Sequence, residues 1–339
     1  MKNRLSTLFV ICMLAASTAL AGVEYVIKVS YPVGNLPPTE SPDIMYGDVF
    51  KRECEERSNG RIAVEIYGSA QLGTLAEVIK GVMDGYIEAT IMDNTMLNQH
   101  LPMTQVLTAP GVFLDMDECD AVLTAPWGEK YRKTVLDKLG IRIINQHCKG
   151  FRHFTTSTKE LKTVDDARGV TFRVMESPVS IKMVEALGAK AVPMPSSEMY
   201  MAMRNGVVDG QENPISSFIQ DKSYEVQKFM VLDGHIAGVV NFIVNEEFYQ
   251  SLPDELKTVV EEAAAIGVKA AIEVSRDLDE RGVDFIREKG LSVYKPTPEE
   301  LSDWHRTVSG PTHEYIRNAL PGGEMEELLR VVETVRGKH

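Results

Sequence analysis

Two arginines define the chemistry open to this chain. Arg173 lies in Val-Thr-Phe-Arg-Val-Met, residues 170–175, a stretch that reads as a strand with apolar neighbours. A cation there faces a lobe surface or the interior, and in the interior it needs a partner. The flat guanidinium fork is the natural clamp for a carboxylate. An internal ion pair with one of the 49 acidic residues is the competing reading. Arg152 follows Gly150 at the end of a strand over 141–147, near a C-terminal strand edge, with a solvated loop arginine as its alternative. Catalytic signatures are missing from the sequence: there is no G-x-S-x-G, phosphate loop, H-E-x-x-H or G-x-G-x-x-G. Asp115, Asp117, Glu118 and Asp120 lack the glycine of a calcium loop and read as a solvated acidic turn. No metal spacing links His100, His147 and His153. Neither a metal nor a cofactor is expected.

The elements that must position these arginines alternate. Tyr25 to Tyr31 reads as a strand, Ile44 to Arg57 as a helix and Arg61 to Tyr67 as a strand. Leu75 to Met83 reads as a helix and Ile87 to Met92 as a strand. Strands separated by helices imply parallel βαβ units. The pattern returns: strand 170–175, helix 180–187, a strand from Ala191 and helix 198–204. An echo ties the halves together. Glu77 precedes Gly85-Tyr86-Ile87-Glu88 by the spacing at which Glu198 precedes Gly206-Val207-Val208-Asp209. The expected fold is therefore α/β, with two lobes of related topology. Met92-Asp93-Asn94 and Glu212-Asn213-Pro214 become equivalent loops after strands, where open α/β sheets place ligands. A third region, from Pro253 to Ile286, has helical periodicity. A helix of about 36 residues is about 54 Å long, enough to run along both lobes. Breaks near Gly267 or Arg281-Gly282 are the alternative.

The chain has 339 residues and a formal net charge of −13. That length suggests two domains, and the acidic balance argues against a nucleic-acid partner. A locally basic cleft remains open. Residues 1–21 combine Lys2 and Arg4, an apolar run from Leu8 to Leu14, and Ala19-Leu20-Ala21 before Gly22. This is the pattern of a cleavable secretory signal, and it predicts export to the periplasm. Cys12 falls within it, leaving Cys54, Cys119 and Cys148. One disulfide or buried free thiols both fit an oxidising compartment.

Several segments carry a family resemblance. Glu198-Met199-Tyr200 through Val207-Val208-Asp209-Gly210-Gln211-Glu212-Asn213-Pro214 resembles E-x-Y-x-A-L-x-x-G-V-V-D-G-Q-E-N-P, with Met203 in place of Leu. That is a signature of the solute-binding proteins of tripartite ATP-independent periplasmic (TRAP) transporters, the DctP family. Gly169 to Val174 resembles its G-x-K-I-R-V strand. Gly150-Phe151-Arg152 with Thr155-Thr156-Ser157 resembles its G-x-R-x-x-T-N-S segment, and Gln71-Leu72-Gly73 matches Q-L-G. The resemblance covers essentially the whole mature chain. It implies a periplasmic binding protein whose two lobes close on an organic acid, which a TRAP membrane permease then receives. A long helix spans both lobes. One lobe is expected over 22–149 plus about 238–275, the other over 150–237 plus about 276–339.

The resemblance also assigns roles. Arg173 makes the main salt bridge to the ligand carboxylate, Arg152 assists and Asn213 hydrogen-bonds the same group. Asp93, with Asn94 beside it, stands where sugar-acid binders carry an acid for hydroxyl groups, with a capped loop aspartate as its alternative. Ser196 replaces an aromatic of sialic-acid binders. Tyr31, Met92, Met175 and Phe242 are candidate wall residues, or plain core. Asp93 disfavours a second carboxylate nearby, which tilts the ligand toward a hydroxylated monocarboxylate or sugar acid. A C4-dicarboxylate and an aromatic or keto acid are alternatives. From other classes come a secreted enzyme acting on a small acid, a receptor for an ATP-driven importer and a ligand sensor. A monomer is expected.

Overall fold

The computed structural model describes residues 22–337 except 33 and 35. The segment 1–21, with its expected cleavage site, lies outside the described residues.

The first half alternates as expected: β1 (Tyr25–Ser30), α1 (Pro42–Arg57), β2 (Ile62–Tyr67), α2 (Leu75–Met83) and β3 (Ala89–Asp93). Strand β1 pairs in parallel with both β2 and β3. Helices α3 (Met116–Thr124) and α4 (Pro126–Leu139) lead into β4 (Ile141–Thr156). The motif then repeats as β5 (Thr171–Val174), α5 (Pro178–Ala186), β6 (Lys190–Pro193), α6 (Ser196–Arg204) and β7 (Gly210–Pro214). Strand β5 pairs in parallel with β6 and β7. After α7 (Ile215–Gln220) and β8 (Phe229–Val231) comes β9 (Ile236–Asn245). The chain ends with α8 (Glu246–Ser251), α9 (Asp254–Glu288), β10 (Ser292–Tyr294), α10 (Pro298–Ala319) and α11 (Glu324–Arg336).

The sheet order β2-β1-β3-β9-β4-β7-β5-β6 is symmetric about its middle. Three parallel strands on each side flank an antiparallel pair, β9 and β4. The echo in the sequence is this symmetry. Gly85 and Gly206 both take positive φ, 79° and 69°, in matching turns between helix and strand.

Four expectations need correcting. Strand β4 does not stop at 147. It runs on for 16 residues, with register shifts after Ile143 and Cys148 and Gly150 at φ 115°. The polar residues Gln146, His147 and Lys149 break the alternation that marks a strand, and the bulges absorb the break. Arg152 is thus inside a strand, and Glu212, Asn213 and Pro214 are in β7 and not in a loop. The acidic group at 115–120 is solvated only in part, at Asp115 and Asp117. Asp115 caps α3, Glu118 is buried and pairs with Arg336, and Asp120 accepts a hydrogen bond from the Cys148 amide.

The C-terminal region, expected with the second lobe, divides. Trp304 and Val308 pack with Phe154, Phe172 and Met183. Ile316, Met325, Leu328 and Val332 join Val122, Tyr131 and Val135 of the first half. Pro311 lies in α10 between the two groups.

Helix α9 is unbroken over 35 residues. It packs on α1 in the first half and on α7 in the second. Its glycines are sites of close approach. A Cβ at Gly267 would sit 3.2 Å from the Tyr46 carbonyl oxygen, and one at Gly282 would sit 2.4 Å from Ile215 Cγ2. Cys54, Cys119 and Cys148 are buried free thiols. No helix among the described residues is long and apolar enough to cross a membrane.

Candidate functional site

The C-terminal ends of β3, β5 and β7 converge with β4 on a cleft between the halves. It has two chambers that share Pro32, Leu75, Arg173, Met175 and Ser196. One is polar: Asp43, Asp93, Lys149, Arg152, Asn213 and Asp221 line it. The other is mainly apolar, with Tyr31, Val78 and Met96.

Arg173 sits at the junction and is only 3% exposed. Its Nε and Nη2 donate to the Met194 carbonyl at 3.0 and 2.8 Å. No side-chain acid hydrogen-bonds it among the described residues, and its Nη1 edge is uncommitted. Burial pulls its pKa down to about 10, with Glu212 opposing the shift, so it stays charged at neutral pH. This is a buried cation facing a cavity with no acid hydrogen-bonded to it among the described residues, which favours an incoming anion.

Arg152 is held differently. Its Nε pairs with Glu212, and Nη2 donates to Glu212 Oε1 at 3.0 Å, the Glu212 carbonyl at 2.7 Å and Asn213 Oδ1 at 2.9 Å. Only Nη1 reaches into the cleft, toward Asp93 Oδ2 at 3.3 Å. Behind it stands a second buried pair. His235 Nδ1 lies 2.6 Å from Asp233 Oδ2 and its Nε2 lies 3.3 Å from Glu212 Oε2. Burial would raise Glu212, but Arg152 and His235 overcome it and hold the acid at about 2. Burial would likewise lower His235, but Asp233 and Glu212 lift it to about 9. The four groups form a charged wall that fixes Arg152.

The glycine of the D-G-Q-E-N-P run has a steric cause. A Cβ on Gly210 would lie 1.9 Å from the Thr155 carbonyl oxygen. Only glycine lets β7 approach β4 here, and that approach puts Glu212 beside Arg152.

Arg173, Arg152, Asn213, Asp93, Met92, Met175, Ser196 and Tyr31 all line the cleft. Asp93 does two things: Oδ1 caps the following 3-10 turn through the Thr95 amide, while Oδ2 faces Arg152. Asn94 and Phe242 are not in the lining, contrary to expectation. Asn94 is fully buried and bonds Thr104, Tyr131 and Asn241. Phe242 packs in the core, tilted against Tyr46 and edge-on to Phe50. Side chains alternate along a strand, and Phe242 points to the α1 side of β9.

Lys149, Asp43 and Asp221 were not foreseen. They come from β4, α1 and the end of α7, and no local pattern connects them. Glu212 was within reach, since it sits in the motif itself. Among the described residues, no group of three or more His, Cys, Asp or Glu could hold a metal ion.

Comparisons with known proteins agree with this geometry. Residues 33–318 match the family model DctP, bacterial extracellular solute-binding protein family 7. A solute-binding protein of Verminephrobacter eiseniae is 33% identical over 246 residues, 73% of each chain. The sugar acid binding protein DctPAm from Advenella mimigardefordensis, solved with galactonate, superposes with a TM-score of 0.87 at 27% identity, covering 93% of this chain and all of the other. A TRAP periplasmic solute-binding protein from Sulfurospirillum deleyianum, solved with succinate, gives a TM-score of 0.84 at 28% identity, covering 92% and 99%. With two related α/β halves meeting at a cleft that holds a buried arginine, the chain belongs to the DctP family of TRAP transporter solute-binding proteins.

Proposed function

We propose that this carboxylate receptor holds its ligand by Arg173, with Arg152 Nη1 and Asn213 assisting, and that the ligand is a hydroxylated monocarboxylate or sugar acid. The uncommitted Arg173 edge carries the reading. Asp93, Asp43 and Asp221 all line the same chamber, and a second ligand carboxylate placed beside them would meet like charge. The galactonate complex of the Advenella protein supports the sugar-acid class, and the succinate complex of the Sulfurospirillum protein keeps a dicarboxylate as the second reading. Proteins of this family bind small carboxylates and serve membrane permeases, and this chain is proposed to act as a monomer that releases its ligand unchanged. Residues 1–21 are proposed to be removed on export.

A thermal-shift screen of the exported protein against organic acids tests the reading. A ligand at 100 times its Kd stabilises by about 2.7 kcal/mol. The expected hit is a hydroxylated monocarboxylate recovered intact, on a protein whose mass begins at Gly22. A succinate hit with no response to hydroxy acids would favour the dicarboxylate, and turnover would favour an enzyme.

A further inference from the structure

We infer that Lys149, Asp43 and Asp221 form a second ligand subsite in the polar chamber, one that takes neighbouring hydroxyl groups on the carbon chain that carries the carboxylate. This deepens the proposed function and rests on it.

The three side chains share an unusual condition. Lys149 and Asp43 are only 9% and 4% exposed, and Asp221 is partly buried. Lys149 Nζ stands 3.8 Å from Asp43 Oδ2, too far for a hydrogen bond. Among the described residues, none of the three side chains makes a hydrogen bond, yet all three line the chamber. Their neighbours are held. Gln220, at the end of α7, donates to Ser41 Oγ at 2.8 Å, and Ser41 also caps α1 by accepting from the Ile44 amide. That bridge ties the α7 end carrying Asp221 to the α1 start carrying Asp43.

The donor set decides what fits. A buried ammonium has three donors and no acceptor, and ionised carboxylates only accept. A second ligand carboxylate would satisfy Lys149 but face two aspartates. A ligand ammonium would satisfy the aspartates but face Lys149. An alkyl arm would leave all three unpaired, which is costly in a buried site. A hydroxyl both donates and accepts. One oxygen can accept from Lys149 while its proton goes to Asp43 or Asp221, and two adjacent hydroxyls serve all three. Arg173 lines the same chamber, so the carboxylate and the hydroxylated arm occupy one continuous space.

The test measures binding of three acid classes by calorimetry: C4 to C6 aldonates and uronates, the unsubstituted alkanoates of equal length, and the matching dicarboxylates. The proteins are the mature chain and its Lys149→Met, Asp43→Asn and Arg173→Met variants, each checked for an ordinary far-ultraviolet spectrum and unfolding midpoint. At least one polyhydroxy acid is expected to bind the mature chain about 10- to 100-fold more tightly than its alkanoate. Lys149→Met and Asp43→Asn should remove most of that preference. Arg173→Met should weaken every acid. The subsite is wrong if alkanoates or dicarboxylates bind as well as the best polyhydroxy acid. It is also wrong if both chamber variants keep the preference while Arg173→Met still abolishes binding; the carboxylate reading survives either result. If Arg173→Met binds like the parent, the carboxylate reading itself fails. Should Lys149→Met not fold, Asp43→Asn decides alone.

Discussion

Replacing Arg173 by Met separates binding from folding. In the parent, the buried guanidinium bonds only the Met194 carbonyl among the described residues, so it has hydrogen-bonding capacity left for a carboxylate. A carboxylate on this fork gains two hydrogen bonds to a charged group, each about 1.5–3 kcal/mol. Losing both costs about 3–6 kcal/mol, or about 10²- to 10⁴-fold in Kd. The fold should respond weakly. Methionine leaves the Met194 carbonyl short of a donor, a cost of about 1–3 kcal/mol, but it also removes a desolvated charge without an acid partner, which works the other way. The variant should therefore unfold within a few degrees of the parent. Arg173→Lys should fall between them, because the charge stays and the fork is lost. The pH axis gives a further check. Since Arg173 is held near 10 by burial, binding should persist through neutral pH and fail as pH rises past that value. Calorimetric titration of the screened ligand reads all of this. If Arg173→Met binds within threefold of the parent, the carboxylate is held elsewhere and the reasoning is wrong.

Two further outcomes follow from the same geometry. Glu212→Gln strips the buried Arg152 and His235 of their shared acid and should destabilise the fold by about 3–5 kcal/mol, read as a lower urea midpoint. The pH signs are fixed by the shifts. Glu212 sits at about 2 against an ordinary 4.5, so its contribution is full above 4.5 and fades as pH falls toward 2. His235 sits at about 9 against 6.5, so its contribution is full below 6.5 and fades as pH rises through 9. Stability scans should show both limbs, and the variant should lose the one between 4.5 and 2; an unchanged acid limb would refute the assignment. Gly282→Ala, normally a gain for a helix, should instead cost about 1–3 kcal/mol, because its Cβ would lie 2.4 Å from Ile215 Cγ2. A raised unfolding midpoint would show that α9 and α7 can part at no cost.

Local pattern carried much of the fold. The helix at 75–83 was legible because Thr74 and Glu77 form a capping box and the apolar spacing is regular. The twofold plan was legible because the matching turns need glycine. By contrast, β9 has ten buried residues in a row, so it has no alternation to read. Its pairing with β4 is fixed by contacts far apart in the chain. The same division runs through the site. Arg173 and Asn213 lie in motifs, and Arg152 follows a glycine that bends its strand. Lys149, Asp43 and Asp221 meet only after the halves do, so no spacing announces them.

That last point bears on how closure is controlled. The links across the cleft are polar: Asp93 to Arg152, Ser41 to Gln220, and Asn98 to Ser177 at 2.9 Å. Each replaces bonds to water, so each contributes only about 1 kcal/mol net. Against them stands the cost of drying Arg173, Lys149 and the aspartates without full pairing. A surface built this way has little drive to close alone. A ligand with one carboxylate supplies the missing countercharge for Arg173, and its hydroxyls supply partners for Lys149, Asp43 and Asp221. Its differential affinity for the closed state then sets the equilibrium. By the same logic, filling the chamber with apolar side chains, as in Lys149→Met combined with Asp43→Leu, removes the penalty and should favour closure without any ligand. Small-angle scattering should then show a compact form that added acid no longer changes, whereas a ligand-dependent compaction like the parent's would mean that these charges do not control the gap.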